Sequence, residues 1–257
     1  DIPIMITNRD TPIAFIETTK PGKNAAIIIN QAKSEKEQNL EIAKKIINAK
    51  INEQWKIIQT IKKTGLTTNS LTKLKKRALK KLKTTINPMY EEAEFASKYW
   101  QTLAPICNTN NRRGKGATDP FNSMLNYAYA ILYSKTRNSI LKSGMTPYLG
   151  VLHKPYYNRE SLTLDLMEPF RPTIDRAIIT LFTKKIFNKT SDFNEKTSLI
   201  TKSGKTKLLE EITKNLNKKT DYLNQKTTIK NAITLQSRQL AKQYAQKQEF
   251  TAYGERK

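Results

Sequence analysis

The chain has 257 residues and a mass of 29.5 kDa, which is enough for one large domain or two smaller ones. Lysine and arginine outnumber aspartate and glutamate 46 to 22, and the resulting net charge of +24 predicts a polyanionic partner, either nucleic acid or an anionic membrane surface. One cysteine and one histidine exclude an internal disulfide and a Cys/His zinc site, and no run of about 20 uncharged apolar residues could span a bilayer.

The first twenty residues have the pattern of a β-hairpin. Apolar runs at residues 2–6 and 12–16 flank the turn-forming residues 8–10. A lone two-stranded hairpin is only marginally stable in water, so we expect it to belong to a larger sheet, most of which is absent from this sequence. The chain does not begin with methionine, which agrees with a fragment or a processed product.

A boundary is predicted at Pro21-Gly22, because proline and glycine interrupt regular structure. Residues 1–22 are therefore expected to be the remnant of an N-terminal β domain with its linker, and residues 23–257 an α-helical domain. The predicted fold class is mainly α. Apolar residues at three- and four-residue spacings predict helices at 35–62, 71–82, 90–103, 121–141, 161–167 and 173–187, and a helical Lys/Asn/Gln-rich tail at 205–253.

Two segments in the first half of the chain are strongly basic. Residues 71–82 predict a helix rich in lysine, which is either a solvated face or a face that lies along a duplex. A glycine-containing loop carries Arg112, Arg113 and Lys115, which suit phosphate contacts because guanidinium groups bind phosphate bidentately. The alternative for this loop is an ordinary exposed basic loop. Asp119 after it is a candidate N-cap for the next helix, with Pro120 in the first turn.

The most informative segment lies at residues 153–172. His153 is the only histidine, and Asp165 and Glu168 follow it three residues apart within an apolar run. That spacing on a helix places both carboxylates on one face, with Cβ atoms about 5–6 Å apart. Carboxylates crowded on a packed face are costly unless a cation or a proton is shared between them. Together with an imidazole, their oxygens could bind Mg²⁺ or Mn²⁺.

Simpler interpretations of these residues remain open. A lone histidine is more often a core or surface side chain than a ligand, and the carboxylates could be a solvated pair or partners of Arg159 and Arg171. The apolar neighbours Leu162, Leu164, Leu166 and Met167 favour the cation site, because they leave little polar surface for a solvated pair. A metal-capable acidic site in a very basic chain suggests chemistry on a phosphodiester.

Several blocks in a fixed order resemble the CRISPR spacer-acquisition integrase family, whose members are metal-dependent nuclease-integrases. The resemblance covers about residues 40–187, and its most specific part is Ser161-Leu-x-Leu-Asp-Leu-Met-Glu-Pro-Phe-Arg-Pro172. The other blocks are the helix 40–54, the segment Glu92-x-x-x-Ala-x-x-Tyr-Trp100, the stretch 113–129 with Asp-Pro-x-Asn, and Gly150-x-x-His153.

The resemblance implies a catalytic centre of Glu92, His153, Asp165 and Glu168. Glu92, His153 and Glu168 would hold one Mg²⁺ or Mn²⁺ ion, with Asp165 as an outer ligand or a hydrogen-bond anchor. Glu92 is preferred to Glu91 because of its spacing to Ala96, Tyr99 and Trp100. Arg112, Arg113, Lys115 and Arg159 are assigned to DNA binding.

The family's activity would be insertion of short DNA by attack of a 3′-hydroxyl on a target phosphodiester, with hydrolysis when water attacks instead. The implied partners are prespacer DNA, the CRISPR repeat and leader, a second copy of the chain, and a small ferredoxin-like second Cas adaptation protein. Family members dimerise through a complete N-terminal β domain, so the short N-terminus departs from the pattern. We expect a prokaryotic cytoplasmic protein without a membrane partner.

Three alternatives stay open. A transposon-encoded, casposase-like integrase would use the same residues on different DNA ends. A non-catalytic basic helical protein would bind nucleic acid without a metal. A membrane-surface helical protein is the least favoured, because no helix concentrates aromatic residues opposite its lysines.

Overall fold

The computed structural model describes residues 4–8, 11–16, 22–62, 69–109, 116–246 and 248–255. The described chain is mainly α, with short antiparallel strand pairs, which confirms the predicted fold class. The helices are α1 (Gly22–Ala32), α2 (Lys36–Lys62), α3 (Asn69–Leu82), α4 (Pro88–Leu103), α5 (Pro120–Lys142), α6 (Ser161–Met167), α7 (Arg171–Thr183), α8 (Lys189–Asp192), α9 (Lys202–Leu216) and α10 (Ile229–Gln246), and a 3₁₀ turn, Glu168–Phe170, joins α6 to α7.

The predicted N-terminal hairpin is present as two antiparallel strands, β1 (Ile4–Asn8) and β2 (Thr11–Ile16), in which Ile4 is paired with Ile16. Residues 9 and 10 of its predicted turn lie outside the described residues. The division into residues 1–22 and 23–257 stays a prediction.

Local signals set where the central helices begin. The Asn87 side chain accepts a hydrogen bond from the Tyr90 backbone N–H, with Pro88 in the first turn of α4. The Asp119 side chain accepts one from the Asn122 N–H at 3.0 Å, which confirms the predicted N-cap of α5. Side-chain acceptors satisfy N–H groups that a helix start otherwise leaves without a partner.

The prediction of a helical tail over 205–253 is wrong in its middle. Helix α9 ends at Leu216, and the strands β5 (Lys219–Tyr222) and β6 (Gln225–Thr228) form a hairpin before α10. The two turn residues, Leu223 and Asn224, have φ values of 52° and 59°. Positive φ at both central positions gives the turn that closes a two-residue hairpin, and the flanking threonines favour extended backbone.

Two other segments also differ from the sequence predictions. Helix α7 begins at Arg171 and ends at Thr183, four residues before the predicted end, because Lys185 adopts φ 53° beyond its last turn. A small hairpin of β3 (Phe193–Asn194) and β4 (Leu199–Ile200), which no apolar pattern marks, follows α8.

Helix α2 runs through the centre of the described fold and packs against α4, α7 and the 3₁₀ turn. Its apolar face is almost fully buried, with Ile46, Ile47, Ile51 and Ile58 at most 1% exposed. Truncating a buried isoleucine to alanine typically costs about 2–5 kcal/mol, so this face contributes much of the stability. Because α2 is central, its polar positions on the same face are also buried.

The C-terminal segment packs behind the 3₁₀ turn. Phe170 stacks on Tyr253 with ring centroids 4.8 Å apart. The Gln236 side chain donates to the Leu166 carbonyl at 2.9 Å and accepts the Tyr253 N–H at 2.8 Å, which joins α10, α6 and the C-terminal segment. These contacts fix the backbone that carries Glu168. Of the helices that the structure describes, none is both long and apolar enough to traverse a lipid bilayer.

Candidate metal and DNA site

Two buried glutamates from distant parts of the chain converge on one lysine. Lys50 Nζ on α2 lies 2.9 Å from Glu92 Oε1 on α4 and 2.7 Å from Glu168 Oε2 on the 3₁₀ turn. The side chains of Glu92 and Glu168 are only 12% and 6% exposed. Both carboxylates therefore face a common position that already holds a positive charge.

Helix periodicity explains why Glu92 is buried. Phe95 and Tyr99 follow it by three and seven residues, and both are at most 1% exposed, so Glu92 lies on the packed face of α4. Glu168 is the first residue of the 3₁₀ turn, where Pro169 and Phe170 are buried with it. Both glutamates are therefore buried because the apolar residues next to them on the same face or turn pack into the core.

Lys50 is the partner of both buried oxygens. Glu92 Oε1 and Glu168 Oε2 are buried, and Lys50 Nζ lies within ion-pair distance of each. Buried carboxylates are costly unless a cation is paired with them. The position between these two oxygens therefore suits a cation.

The charges around Glu168 shift its protonation. Burial alone would raise its pKa, but Lys50 and Arg171, with a smaller contribution from His153, outweigh burial and hold the pKa of Glu168 below its usual value. Burial likewise opposes the charged form of Lys50, but Glu168 and Glu92 outweigh it and raise the pKa of Lys50. Both groups are therefore charged at neutral pH.

Asp165 holds the histidine in place. Its Oδ1 lies 2.6 Å from His153 Nδ1 and accepts the His153 backbone N–H at 3.0 Å. Its Oδ2 accepts the N–H groups of Val151 at 2.6 Å and Leu152 at 2.9 Å. The sequence left two roles open for Asp165, an outer metal ligand or a hydrogen-bond anchor. Because both oxygens accept hydrogen bonds and the side chain is fully buried, the structure favours the anchor.

The loop before His153 depends on Gly150. A Cβ atom at this position would lie 2.7 Å from Asp165 Oδ2, from the His153 carbonyl and from Ser161 Cβ. The close approach of the backbone to Asp165 therefore requires glycine. Since Nδ1 is next to Asp165, Nε2 is the ring nitrogen left for a metal, as in metal sites where a carboxylate orients a histidine.

Arg171 supports Glu168 from the other side. Its Nε lies 2.9 Å from Glu168 Oε1, and its guanidinium lies over the Tyr129 ring at 4.8 Å. Of the simpler interpretations of Glu168, an ion pair with Arg171 is therefore correct.

A second buried carboxylate, Asp175, lies behind Tyr129. Tyr129 and Tyr99 both donate hydrogen bonds to Asp175, Tyr99 at 2.9 Å. Burial raises the pKa of Asp175 to about 6, and these hydrogen bonds only partly oppose the rise.

The structure brings Glu92 and Glu168 together at Lys50, and His153 together with Asp165. His153 also contributes to lowering the pKa of Glu168, but the two pairs do not form a finished metal site. Among the residues it describes, no three Asp, Glu, His or Cys side chains lie in positions that could already bind a metal. The side chains nevertheless fit one in chemistry, since two buried carboxylates face one cation and an anchored imidazole contributes to the electrostatics of Glu168.

The predicted DNA ligands are only partly described. Arg112, Arg113 and Lys115 lie outside the described residues, so their assignment stays a prediction. Arg159 is half-buried and closes a turn in which its N–H donates to the Tyr156 carbonyl at 3.0 Å. That turn exposes Tyr156 and Tyr157, which are 76% and 85% exposed close in sequence to His153.

The sequence patterns did not predict the contacts of Lys50 or the exposure of these two tyrosines. The available signal for Lys50 was its position on the apolar face of the helix that became α2, where a charged residue predicts a buried partner. Tyr156 and Tyr157 are adjacent aromatic residues in a short polar loop between two motif blocks. Neither signal specifies a function by itself.

Comparison with known proteins places the chain next to one family. The family model "CRISPR associated protein Cas1" matches residues 1–214. A CRISPR-associated endonuclease Cas1 of Francisella tularensis subsp. novicida is 31% identical over 88% of this chain and 71% of its own length. One from Saccharolobus solfataricus is 30% identical over 70% of this chain, which spans 54% of that relative.

Solved structures are similar over almost the whole chain. A casposase bound to integration product is 26% identical with a TM-score of 0.85, and the match covers 98% of this chain and 78% of that one. A Cas1 protein from Thermotoga maritima is 22% identical with a TM-score of 0.77, covering 97% and 81% of the two chains. A partial Cas6-RT-Cas1–Cas2 complex is 18% identical with a TM-score of 0.84, covering 100% and 82%. The last two similarities show the fold alone.

Proposed function

The chain belongs to the Cas1 family of CRISPR-associated proteins, and from this membership we propose that it is a divalent-metal-dependent DNA integrase and endonuclease. The observation that carries the proposal is the convergence of the buried Glu92 Oε1 and Glu168 Oε2 on one cation, together with the anchored His153, which contributes to lowering the pKa of Glu168. The spacer-integrase resemblance found in the sequence is confirmed at the level of the family.

Glu92, Glu168 and His153 through Nε2 are the residues that would hold Mg²⁺ or Mn²⁺. When bound, such an ion acts as a Lewis acid on a phosphate oxygen and favours attack by a coordinated hydroxyl. Oxygen ligands with one imidazole suit these ions better than structural zinc.

The surrounding residues keep the ligands in position. Asp165 fixes the orientation of the His153 ring, and Arg171 holds Glu168 Oε1 so that Oε2 faces the cation position. A buried, pre-organised arrangement avoids reorganisation during the reaction and accounts for a large part of catalysis in many enzymes. In the proposed reaction a DNA 3′-hydroxyl oxygen bonds to the target phosphorus as the bond to the leaving 3′ oxygen breaks. A water oxygen in the same position gives hydrolysis.

The basic residues would bind the DNA backbone. Arg112, Arg113, Lys115 and Arg159 are the proposed phosphate contacts, and Tyr156 and Tyr157 would stack on unpaired bases next to the scissile phosphate. Each neutralised phosphate should lower log K by about 0.9 per tenfold rise in salt. DNA binding should therefore weaken steeply as the salt concentration rises.

The partners are proposals as well, because the chain spans only 54% and 71% of the two curated relatives. For the small second adaptation protein, the support is that a chain of similar fold occurs in a Cas6-RT-Cas1–Cas2 complex. The second copy of the chain rests on the family resemblance alone. The substrates would then be prespacer DNA and the CRISPR repeat with its leader.

A transposon-type integrase is the second candidate. The observation that favours it is the similarity to a casposase bound to integration product, at a TM-score of 0.85 and 26% identity. Competition between repeat-leader DNA and unrelated target duplexes separates the two, since a spacer integrase should prefer the repeat-leader junction.

The proposal is tested by strand transfer of a labelled 3′-hydroxyl oligonucleotide into a target duplex with Mg²⁺, Mn²⁺ or EDTA. We expect products with either metal and none with EDTA. Glu168→Gln should abolish strand transfer and leave duplex binding within about twofold, since it removes a ligand charge away from the basic surface. Metal-independent transfer, or full transfer by this variant, would overturn the proposal.

A further inference from the structure

A lysine side chain lies at the position that both candidate metal-binding glutamates face. Lys50 Nζ is 2.9 Å from Glu92 Oε1 and 2.7 Å from Glu168 Oε2. We propose that Lys50 is an internal counter-cation that bridges the two glutamates in the metal-free protein and that a divalent ion displaces it. Lys50 and the metal would thus compete for one position. This inference rests on the metal site of the proposed function.

The bridging contact stabilises the metal-free site. Without Lys50, two carboxylates would face each other inside the core, and like charges at short distance in a poorly solvated site repel strongly. Lys50 and Arg171 together balance the charges of Glu92 and Glu168. The metal-free protein can therefore keep both carboxylates buried close to one another.

The same contact is suited to displacement. Both contacts of Lys50 are ion pairs between opposite charges, and the strength of an ion pair rises with the charge of the cation. A dication at the same place interacts with each carboxylate about twice as strongly as an ammonium at equal distance. It also repels the ammonium, so both cannot occupy the position together.

Lys50 differs from Arg171 in its freedom to move away. Arg171 is held between Glu168 Oε1 and the face of the Tyr129 ring. Lys50 reaches the site at the end of a flexible four-carbon stem, where its ammonium forms the two ion pairs with Glu92 and Glu168. An ammonium on such a stem can swing out without moving the α2 backbone. Arg171 would stay beside Glu168 when a metal binds.

The decisive variant is Lys50→Met, which keeps the length of the stem and removes the charge. We expect the dissociation constant for Mn²⁺, measured by calorimetry or by the electron paramagnetic resonance of free Mn²⁺, to fall by about tenfold, within the 5–150-fold range typical of coupled sites. The melting temperature in EDTA should fall, and Mn²⁺ should raise it more than in the unmodified protein. Unchanged or weaker Mn²⁺ binding would overturn the inference.

Lys207→Met is the matched control. Lys207 Nζ pairs at 2.7 Å with Asp192, whose side chain is fully buried, so this substitution also removes the lysine partner of a buried carboxylate. It should lower the melting temperature equally with and without Mn²⁺ and leave Mn²⁺ affinity unchanged. An equal gain in Mn²⁺ affinity in both variants would contradict a specific role for Lys50.

A second measurement needs no substitution at the site. Amine acetylation followed by mass spectrometry should show Lys50 protected in EDTA and modified faster when Mn²⁺ is added, with Lys207 as the internal reference. Unchanged protection of Lys50 in protein that binds Mn²⁺ would overturn the displacement. If neither the unmodified protein nor Lys50→Met binds Mn²⁺, the metal site itself fails.

Discussion

Asp165 contacts His153 through both its ring and its backbone, with Oδ1 2.6 Å from Nδ1 and 3.0 Å from the backbone nitrogen. One carboxylate oxygen thus fixes the imidazole and the loop that carries it. Because Oδ2 accepts two further backbone N–H groups, the loop and the ring move together. Asp165 is therefore a positioning residue for the proposed metal ligand His153.

Asp165→Asn should weaken Mn²⁺ binding by about 10–100-fold, the usual cost of losing a residue that orients a metal ligand. Duplex DNA binding in EDTA should be unchanged, because the substitution removes no phosphate contact. The control is Asp221→Asn on an exposed position of β5, which should alter neither property. Unchanged Mn²⁺ affinity in Asp165→Asn would show that the anchor is not needed.

The buried carboxyl of Asp175 predicts a loss of stability as the pH rises. Its pKa in the folded protein is raised from 3.8 to about 6 by burial, so the folded state holds the proton more tightly than the unfolded state. The free energy of unfolding should therefore fall between about pH 4 and pH 6, by at most about 3 kcal/mol from this group.

Asp175→Asn isolates this contribution, because asparagine does not titrate. The free energy of unfolding of both proteins is measured in urea at pH 4 and pH 7. The variant should lose less stability over this range than the unmodified protein does. A difference that does not vary with pH would contradict the raised pKa. Tyr99→Phe, which removes one donor to Asp175, should enlarge the pH-dependent loss, since that hydrogen bond favours the ionised carboxyl.

For Glu168 we expect the opposite pH dependence, which is a loss of stability as the pH falls. Its folded pKa lies below the usual 4.5, because Lys50 and Arg171 outweigh the effect of burial. The stability it contributes is present above the unfolded pKa and is lost as the pH falls through the folded value. In EDTA, Glu168→Gln should be destabilised at neutral pH and should lose less stability than the unmodified protein below about pH 4.5. Parallel pH profiles of the two proteins would contradict this assignment.

The exposed turn next to His153 predicts a preference for DNA with unpaired ends. Replacing both Tyr156 and Tyr157 by leucine should weaken binding of a duplex with single-stranded 3′ ends by about 1–3 kcal/mol per stacked base, without effect on a blunt duplex. The double phenylalanine variant keeps the flat rings and should bind as the unmodified protein does. An equal loss for blunt and single-stranded ends would refute stacking.

Much of the fold follows from local patterns in the sequence. The length of α2 follows from its apolar spacing, and the start of α5 follows from Asp119 and Pro120. The β5–β6 hairpin could not be predicted in this way, because Leu223 and Asn224 lie within a stretch whose composition also suits a helix. Tertiary packing decided between the two.

The candidate site was only partly predictable for a related reason. The choice of Glu92, His153 and Glu168 came from a family resemblance, and its assignment to a metal stays a prediction. The bridging position of Lys50 depends on how α2, α4 and the 3₁₀ turn pack together, which no spacing along the chain expresses. Asp165 had two possible roles until its four contacts were known.

A crystal structure of the protein soaked in Mn²⁺, with anomalous diffraction used to locate the ion, would show whether a metal replaces Lys50 between the glutamates. We expect one strong peak about 2.1 Å from an oxygen of Glu92, an oxygen of Glu168 and Nε2 of His153, with the Lys50 ammonium moved out of the position between the glutamates. If Mn²⁺ occupies other sites while Lys50 still bridges both carboxylates, the proposed metal site is wrong.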